Sequence, residues 1–379
     1  MAAHCHRPSL GGILETLIPF SLTLQQRESA KHVVIKLMRH YGPERTVPKG
    51  YRPAALIHAI LEHVAYLDTF LNFFLSYIYG GLCFNEGPVV DFDITHALSY
   101  FNDWPSWEPE QIHDLTRSIE KFAEFIVDDF LLPLRATSVK TPQPTSTQNS
   151  TSTGINLQER CLIRDRHRCV VSRTFDILTA EERHKENGEF CTDDDGKLLK
   201  DEPKGQFEYL EVTHILPHCL TTVVSGDTEL SDSKKNVLRI LDMFDPGIGQ
   251  LIDGPRIKSP MNALTLTFHY HRLFGEFEIF FESTGIPYQY RIDSTMEISF
   301  LRNSLFPVIR TLALSPTHSI DPPSSRLLAV HRAITIMMKV SGAGDYIETV
   351  LRDREELVVR EDGSSHLGYL TSLRLAGWY

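Results

Sequence analysis

The chain has 379 residues, of which 38 are Lys or Arg and 49 are Asp or Glu, giving a formal net charge of −11. A hydrophobic content of 42% with 10% aromatic residues excludes a disordered, collagen-like or coiled-coil chain, and the length suffices for about two domains with cores of their own. The acidic balance argues against a protein that coats nucleic acid through bulk charge, but it is compatible with a nuclease that has a local basic patch.

The first 136 residues contain stretches with the spacing of amphipathic helices, at 25–40, 54–79 and 108–132. The second stretch is apolar on nearly every side towards its end, which predicts deep burial or a surface for a partner. A membrane span is disfavoured, because Asp68 and Asn72 would lie inside it. We therefore expect a helical bundle here, without membrane contact.

A polar stretch at 137–156 separates this region from the rest of the chain. From Thr137 to Thr153 it holds no large apolar residue beyond Val139, so it cannot bury enough surface to fold and is predicted to be a flexible linker. After it, short β-prone runs alternate with charged loops, and helical patterns return at the end. The predicted strands are 169–171, 209–215 and 277–281, and the predicted helices are 325–340 and 343–356.

The cysteines and the first residues bear on the compartment. None of the six cysteines forms a CxxC pair, which argues against a zinc knuckle or a dithiol redox site. The residues around His4 and His6 contain no clean apolar core, so no secretory signal is expected. The sequence thus predicts an intracellular protein with free thiols, in the cytoplasm or the nucleus.

Three segments after the polar stretch belong together: Arg166–Ser172, Leu210–His218 and Asn262–Phe274. The second contains His-Ile-Leu-Pro, and the third begins with Asn and ends in His-Arg-Leu-Phe. Their order and spacing resemble the HNH endonuclease family, particularly its fungal branch, over roughly residues 157–285. The resemblance implies a ββα-metal fold, in which a hairpin carries the catalytic base and the following helix carries a metal ligand.

The helical patterns, the polar stretch and the resemblance together predict the organisation of the chain. The expected fold class is α+β, with a helical N-terminal region at 1–136, the linker at 137–156, a central HNH-like ββα domain at 157–285 and a helical C-terminal region at 286–379 that packs on it. Cleavage of a phosphodiester needs a base to activate water and a divalent cation to stabilise the charge on the phosphate. Such an enzyme would act on DNA or RNA.

By resemblance, His214 is the base, and a histidine suits this role because its pKa lies near neutrality. Asn262 would fix the hairpin loop and help to orient that imidazole. His271, at the start of the helix, would hold Mg²⁺, Mn²⁺ or Zn²⁺. His269 is a further candidate ligand, although on a helix it would point to a different face from His271.

Five arginines between 160 and 173 form the best local candidate for phosphate binding, and Arg166 and Arg168 are the predicted contacts. The alternative is a solvated charged surface, since the run Asp193–Asp195 follows.

Two departures from the family pattern keep other functions open. Thr213 stands where relatives often have a second metal ligand, and Gly275 stands where they often have Asp. The HNH-like fold could therefore serve as a metal-independent small-molecule enzyme with His214 as acid and base, or as a catalytically silent binding module. A third interpretation is an interaction protein that forms a homodimer through the apolar stretch 54–79.

Overall fold

The structure is a computed structural model that describes residues 21–83, 92–138, 156–221, 231–252, 254–315, 319–355 and 378. Helices and short strands both occur, which confirms the predicted α+β class. The α-helices are α1 Leu24–Tyr41, α2 Pro53–His63, α3 Leu67–Cys83, α4 Ile94–Asn102, α5 Pro109–Ile126, α6 Leu132–Ser138, α7 Leu157–Arg164, α8 Ile177–Asn187, α9 Asp232–Phe244, α10 Ile248–Ile252, α11 Phe268–Gly275, α12 Ser325–Ser341 and α13 Ala343–Glu355. The strands are β1 Phe175–Asp176, β2 Phe207–Glu208, β3 Leu210–His214, β4 Ala263–Thr267, β5 Ile279–Ser283, β6 Gln289–Ser294 and β7 Val308–Thr311.

The chain divides into two compact units, each built from segments that are separated in sequence. The first unit comprises 1–133, 223–249 and 336–377, and the second unit comprises 134–222, 250–335 and 378–379.

The first unit is helical, as predicted. The helix expected at 25–40 is α1, which starts at a capping box between Thr23 and Gln26. The helix expected at 108–132 is α5, which continues into a π-helical turn at Val127–Leu131. Aromatic rings from α3 and α5 interlock in the core, and those of Phe74 and Phe122 meet edge to face with 4.9 Å between centroids.

The single helix predicted at 54–79 is wrong, because the chain breaks between α2 and α3. Val64 is extended, with ψ of 138°, and ends α2. The next two N–H groups leave the helical ladder: Ala65 donates to Phe244 O at 3.1 Å and Tyr66 donates to Met243 O at 3.0 Å. Tertiary hydrogen bonds thus replace helical ones at the break.

The apolar face of α3 is buried inside the first unit, where Phe70, Phe74 and Ile78 are each 0% exposed. The core of this unit therefore accounts for the hydrophobicity of the stretch. Among the described residues, no helix has the length and hydropathy that crossing a membrane requires.

The second unit holds small sheets. Strands β3 and β4 form an antiparallel hairpin, while β5, β6 and β7 form an antiparallel sheet in that order. The strand predicted at 209–215 is confirmed as β3 and that at 277–281 as β5, shifted by two residues at each end. A strand at 169–171 is wrong, because these residues lie in a turn closed by the bond from Arg173 N to Cys169 O at 2.9 Å.

The two helices predicted for the last part of the chain are present in the structure. Those expected at 325–340 and 343–356 are α12 and α13, and β6 and β7 precede them. Most of the predicted linker at 137–156 lies outside the described residues.

Candidate functional site

The hairpin and the following helix form a ββα arrangement within the second unit. Leu210 pairs with Thr267 at one end of the hairpin, and His214 pairs with Ala263 at the other. The hydroxyl of Thr267 accepts a hydrogen bond from Tyr270 N and caps α11, so the helix begins directly where β4 ends. Side chains alternate between the two faces of a strand, so this register places Glu211 of β3 on the face that α11 covers.

His214 is the last residue of β3 and is largely enclosed by its surroundings. Both ring nitrogens are buried, and neither has a hydrogen-bond partner among the described residues. Its ring stacks on that of His218 at a centroid distance of 5.9 Å. Burial, followed by electrostatic repulsion from His218, Lys258 and His271, lowers the pKa of His214 to about 4. The imidazole is therefore neutral at pH 7, and it is a weaker base than a free histidine.

Asn262 is fully buried and connects two loops. Its Oδ1 accepts from Leu216 N at 2.9 Å, and its Nδ2 donates to Leu216 O and to Ile257 O, both at 2.9 Å. The backbone adds a bond from Ile215 N to Asn262 O at 2.9 Å. The amide thus holds the segment that follows His214 against the segment at Ile257.

His271 lies in the first turn of α11, and its ring faces β3. Its Nδ1 is 2.5 Å from Glu211 Oε2, and both side chains are mostly buried. This contact leaves Nε2 as the ring nitrogen available for another group. A carboxylate that holds the far nitrogen of a histidine is the usual way to orient a metal-binding imidazole.

The other predicted ligand position is separated from this one. His269 is exposed, and since α11 begins at Phe268, it lies on a different face of the helix from His271. Thr213 is 1% exposed in the middle of the hairpin, and Gly275 is buried at the end of α11. Across the described ranges, no three His, Cys, Asp or Glu side chains are grouped so that they could hold a metal ion.

Lys258 is a charged residue near His214 that the sequence did not single out. It is exposed, and it follows Ile257, whose carbonyl is held by Asn262. Its positive charge is one of those that lower the pKa of His214. The only sequence signal was a lysine in a turn-rich segment four residues before Asn262.

The two predicted phosphate contacts are both engaged within the protein. Arg166 forms an ion pair with Asp195. Arg168 is mostly buried and contacts Asp193 Oδ2 and Glu202 Oε1, each at 2.7 Å. A phosphate could bind Arg168 only at the expense of these two bonds.

The comparisons with known proteins agree with the arrangement of the hairpin and helix. Residues 169–282 match the family model described as HNH endonuclease. The chain therefore contains an HNH-like region at 169–282, called the HNH-type domain below. No curated protein and no solved structure matches the chain.

The HNH-type domain contains the hairpin, α11 and the residues around His214. The predicted base and Asn262 lie on either side of the hairpin end, and His271 lies on the helix in contact with Glu211 of β3. The predicted Arg166 and Arg168 lie just before the matched range, and their carboxylate partners Asp193, Asp195 and Glu202 lie inside it.

Proposed function

We propose that the HNH-type domain hydrolyses phosphodiester bonds in nucleic acid, with His214 as the general base and a divalent metal ion at His271. That the chain comes from the fungal branch of the family and acts inside the cell stays a prediction.

The observation that carries this proposal is the state of His214. A buried polar atom without a hydrogen bond costs about 1–3 kcal/mol, so a buried nitrogen without a protein partner usually bonds to water or to a ligand. Here both nitrogens of one imidazole are in that state, at the end of the hairpin where the family resemblance puts the base. A neutral, unbonded nitrogen is what a general base needs before it accepts a proton.

The proposal gives a divalent cation one protein ligand, His271, because the described residues group no three candidate ligands together. His271 would hold it through Nε2, and Glu211 fixes the ring through Nδ1. Water and the substrate's phosphate oxygens would complete the coordination, as they commonly do for Mg²⁺. When bound, such an ion stabilises the negative charge that develops on the phosphate.

The protein's own side chains account for the proton and the charge. The oxygen of a water molecule attacks phosphorus, and one proton of that water passes to a ring nitrogen of His214. The bond from phosphorus to one sugar oxygen breaks, and that oxygen takes a proton from solvent water as it leaves. Lys258 lies near His214 and would neutralise part of the charge on the phosphate. Asn262 holds both segments in place through its bonds to Leu216 and Ile257.

A second candidate function rests on Thr213. It is buried in the hairpin, so the position next to the base offers no carboxylate or imidazole to a metal. This observation favours a domain that has lost cleavage and uses His214 as an acid and base on a small molecule, or only binds a ligand.

Nicking of supercoiled plasmid separates the two candidates. The purified chain is incubated with plasmid and Mg²⁺, Mn²⁺ or Zn²⁺, and again after chelation. We expect nicking that requires the added metal. Intact plasmid under every condition, with a folded protein, would contradict the nuclease and favour the second candidate.

A further inference from the structure

Arg173 and Arg310 are two arginines of the second unit that have no carboxylate partner among the described residues. Four other arginines of this unit are bonded to Asp or Glu: Arg164 to Asp165, Arg166 to Asp195, Arg168 to Asp193 and Glu202, and Arg183 to Asp194. The pair therefore carries two positive charges that the described carboxylates do not bind.

The two side chains converge on one turn, formed by residues 169–173. Arg310 projects from β7, and its Nε donates to Val171 O at 2.7 Å. Arg173 ends the turn in the left-handed region, with φ of 68°. A non-glycine residue in that conformation is uncommon. Arg173 closes through its backbone the same turn whose Val171 carbonyl accepts from Arg310, and each charge acts on the other.

This turn lies along the hairpin of the HNH-type domain. Val170 N donates to Thr265 O at 3.0 Å, while Thr265 pairs with Val212 of β3 through the opposite edge of β4. The turn to which both arginines belong or bond thus lies beside β4, in the same unit as His214.

Without a bound anion, the repulsion between the positive charges of Arg173 and Arg310 is unfavourable. Burial, and then the charges of Arg168 and Arg310, lower the pKa of Arg173, although Asp165 and Asp195 act in the opposite direction. Those two carboxylates are already bonded to Arg164 and Arg166. Two like charges held together in a half-buried site would be stabilised by an anion between them.

We infer that Arg173 and Arg310 together bind a phosphate group, and that this group belongs to the backbone of the nucleic acid that His214 cleaves. The inference rests on the proposed function for the source of the phosphate. Guanidinium groups suit this ligand, because their planar N–H donors match two phosphate oxygens at once. Binding here would break no internal ion pair, in contrast to binding at Arg166 or Arg168.

Equilibrium binding tests the inference without any need for cleavage. The affinity of the full chain for a short DNA duplex is measured by fluorescence anisotropy from low to moderate salt, in chelator. The variant Arg173→Gln/Arg310→Gln should bind at least about tenfold more weakly at low salt, and its salt slope should fall by about two, one unit for each lost contact.

Two further variants and a folding control distinguish the loss of these contacts from a general change of charge and from unfolding. Arg166→Gln makes the same charge change at a paired arginine nearby and should bind within about twofold of the wild type. Arg173→Lys/Arg310→Lys keeps the charge, so it should retain the salt slope and lose part of the affinity. Melting curves by circular dichroism show that each variant is folded.

A parallel titration with inorganic phosphate identifies the source of the ligand. Phosphate binding that needs both arginines, without duplex binding, supports the site and assigns it to a free phosphate. Duplex affinity that is unchanged in the double glutamine variant, or lowered equally by Arg166→Gln, overturns the inference. A wild type that binds duplex through these arginines but never nicks it keeps the site for a nucleic-acid phosphate and removes the proposed function, the cleavage by His214.

Discussion

At the scale of the single residue, His331 is a buried histidine that the proposed chemistry does not use. Its ring lies between those of Phe274 and Phe277, with centroid distances of 3.8 and 4.6 Å. Its Nε2 donates to Phe274 O at 3.1 Å. Burial lowers the pKa of His331 to about 3, because a charged ring would lose its hydration in this stack.

This burial predicts an acid-sensitive fold. In the unfolded chain the pKa of a histidine is about 6.5, so below that pH only the unfolded state takes up the proton. Stability is unaffected above about pH 6.5 and is lost as the pH falls towards the folded pKa of about 3, by up to about 1.4 kcal/mol per pH unit. Urea unfolding at pH 7 and pH 5 measures this loss.

The control is His331→Phe, which keeps a stacked ring and cannot titrate. Its stability at pH 7 should be lower, because Phe274 O loses its donor. Its loss between pH 7 and pH 5 should be smaller than that of the wild type. Equal losses in the two proteins would show that His331 does not cause the acid sensitivity.

Single residues also show which features of the site can be predicted from the sequence and which cannot. His214 and His271 could be proposed from the spacing of a known family pattern, and the structure puts them on the hairpin and the adjoining helix. Arg166 and Arg168 could not be judged in this way, because their carboxylate partners are 25 to 34 residues away along the chain. Charge in a sequence does not reveal whether it is already neutralised in the fold.

At the scale of the element, Asn262 holds the hairpin end together. It is fully buried, and its amide satisfies two backbone groups of Leu216 and one of Ile257. Asn262→Ala leaves those groups buried without partners, so we expect the free energy of unfolding to fall by about 3 kcal/mol or more. We also expect nicking to fall, since the segments that carry His214 and Lys258 would loosen.

Urea unfolding and nicking of the same preparations test this prediction, with Asn262→Asp as the comparison. Aspartate keeps the acceptor for Leu216 N but loses the donor to Leu216 O and Ile257 O. A stable Asn262→Ala protein with normal nicking would show that the hydrogen bonds of the Asn262 amide have no role in the site.

The break between α2 and α3 could not be predicted from the sequence of this segment alone. The apolar period from 54 to 79 is continuous and correctly predicts helix on both sides. The break depends on the carbonyls of Met243 and Phe244, which accept from Ala65 and Tyr66. Partners this far along the chain cannot be read from the local pattern.

At the scale of the whole molecule, the two units are assembled from segments that alternate along the chain. A contiguous HNH-like domain at 157–285, as expected from the sequence, remains a prediction. That fragment contains β5 but not β6 or β7, which complete its sheet, and it lacks His331, which stacks on Phe274.

We therefore expect the isolated fragment 157–285 to lack a fixed core. Near-ultraviolet circular dichroism and amide chemical-shift dispersion check this, with the full chain as the reference. The fragment should show weak aromatic signals and poor dispersion, because the apolar faces of β5 and α11 would be exposed. A well-dispersed, cooperatively unfolding fragment would show instead that the sequence-based boundaries define a domain.

The most direct test of His214 as the general base compares the wild type with His214→Gln in a single-turnover nicking assay and in duplex binding. Glutamine is polar and near histidine in size, but its side chain is not basic enough to accept the proton. We predict a cleavage rate at least about 100-fold lower, with a duplex affinity within about twofold of the wild type. A cleavage rate within about twofold of the wild type would contradict the assignment of His214 as the base.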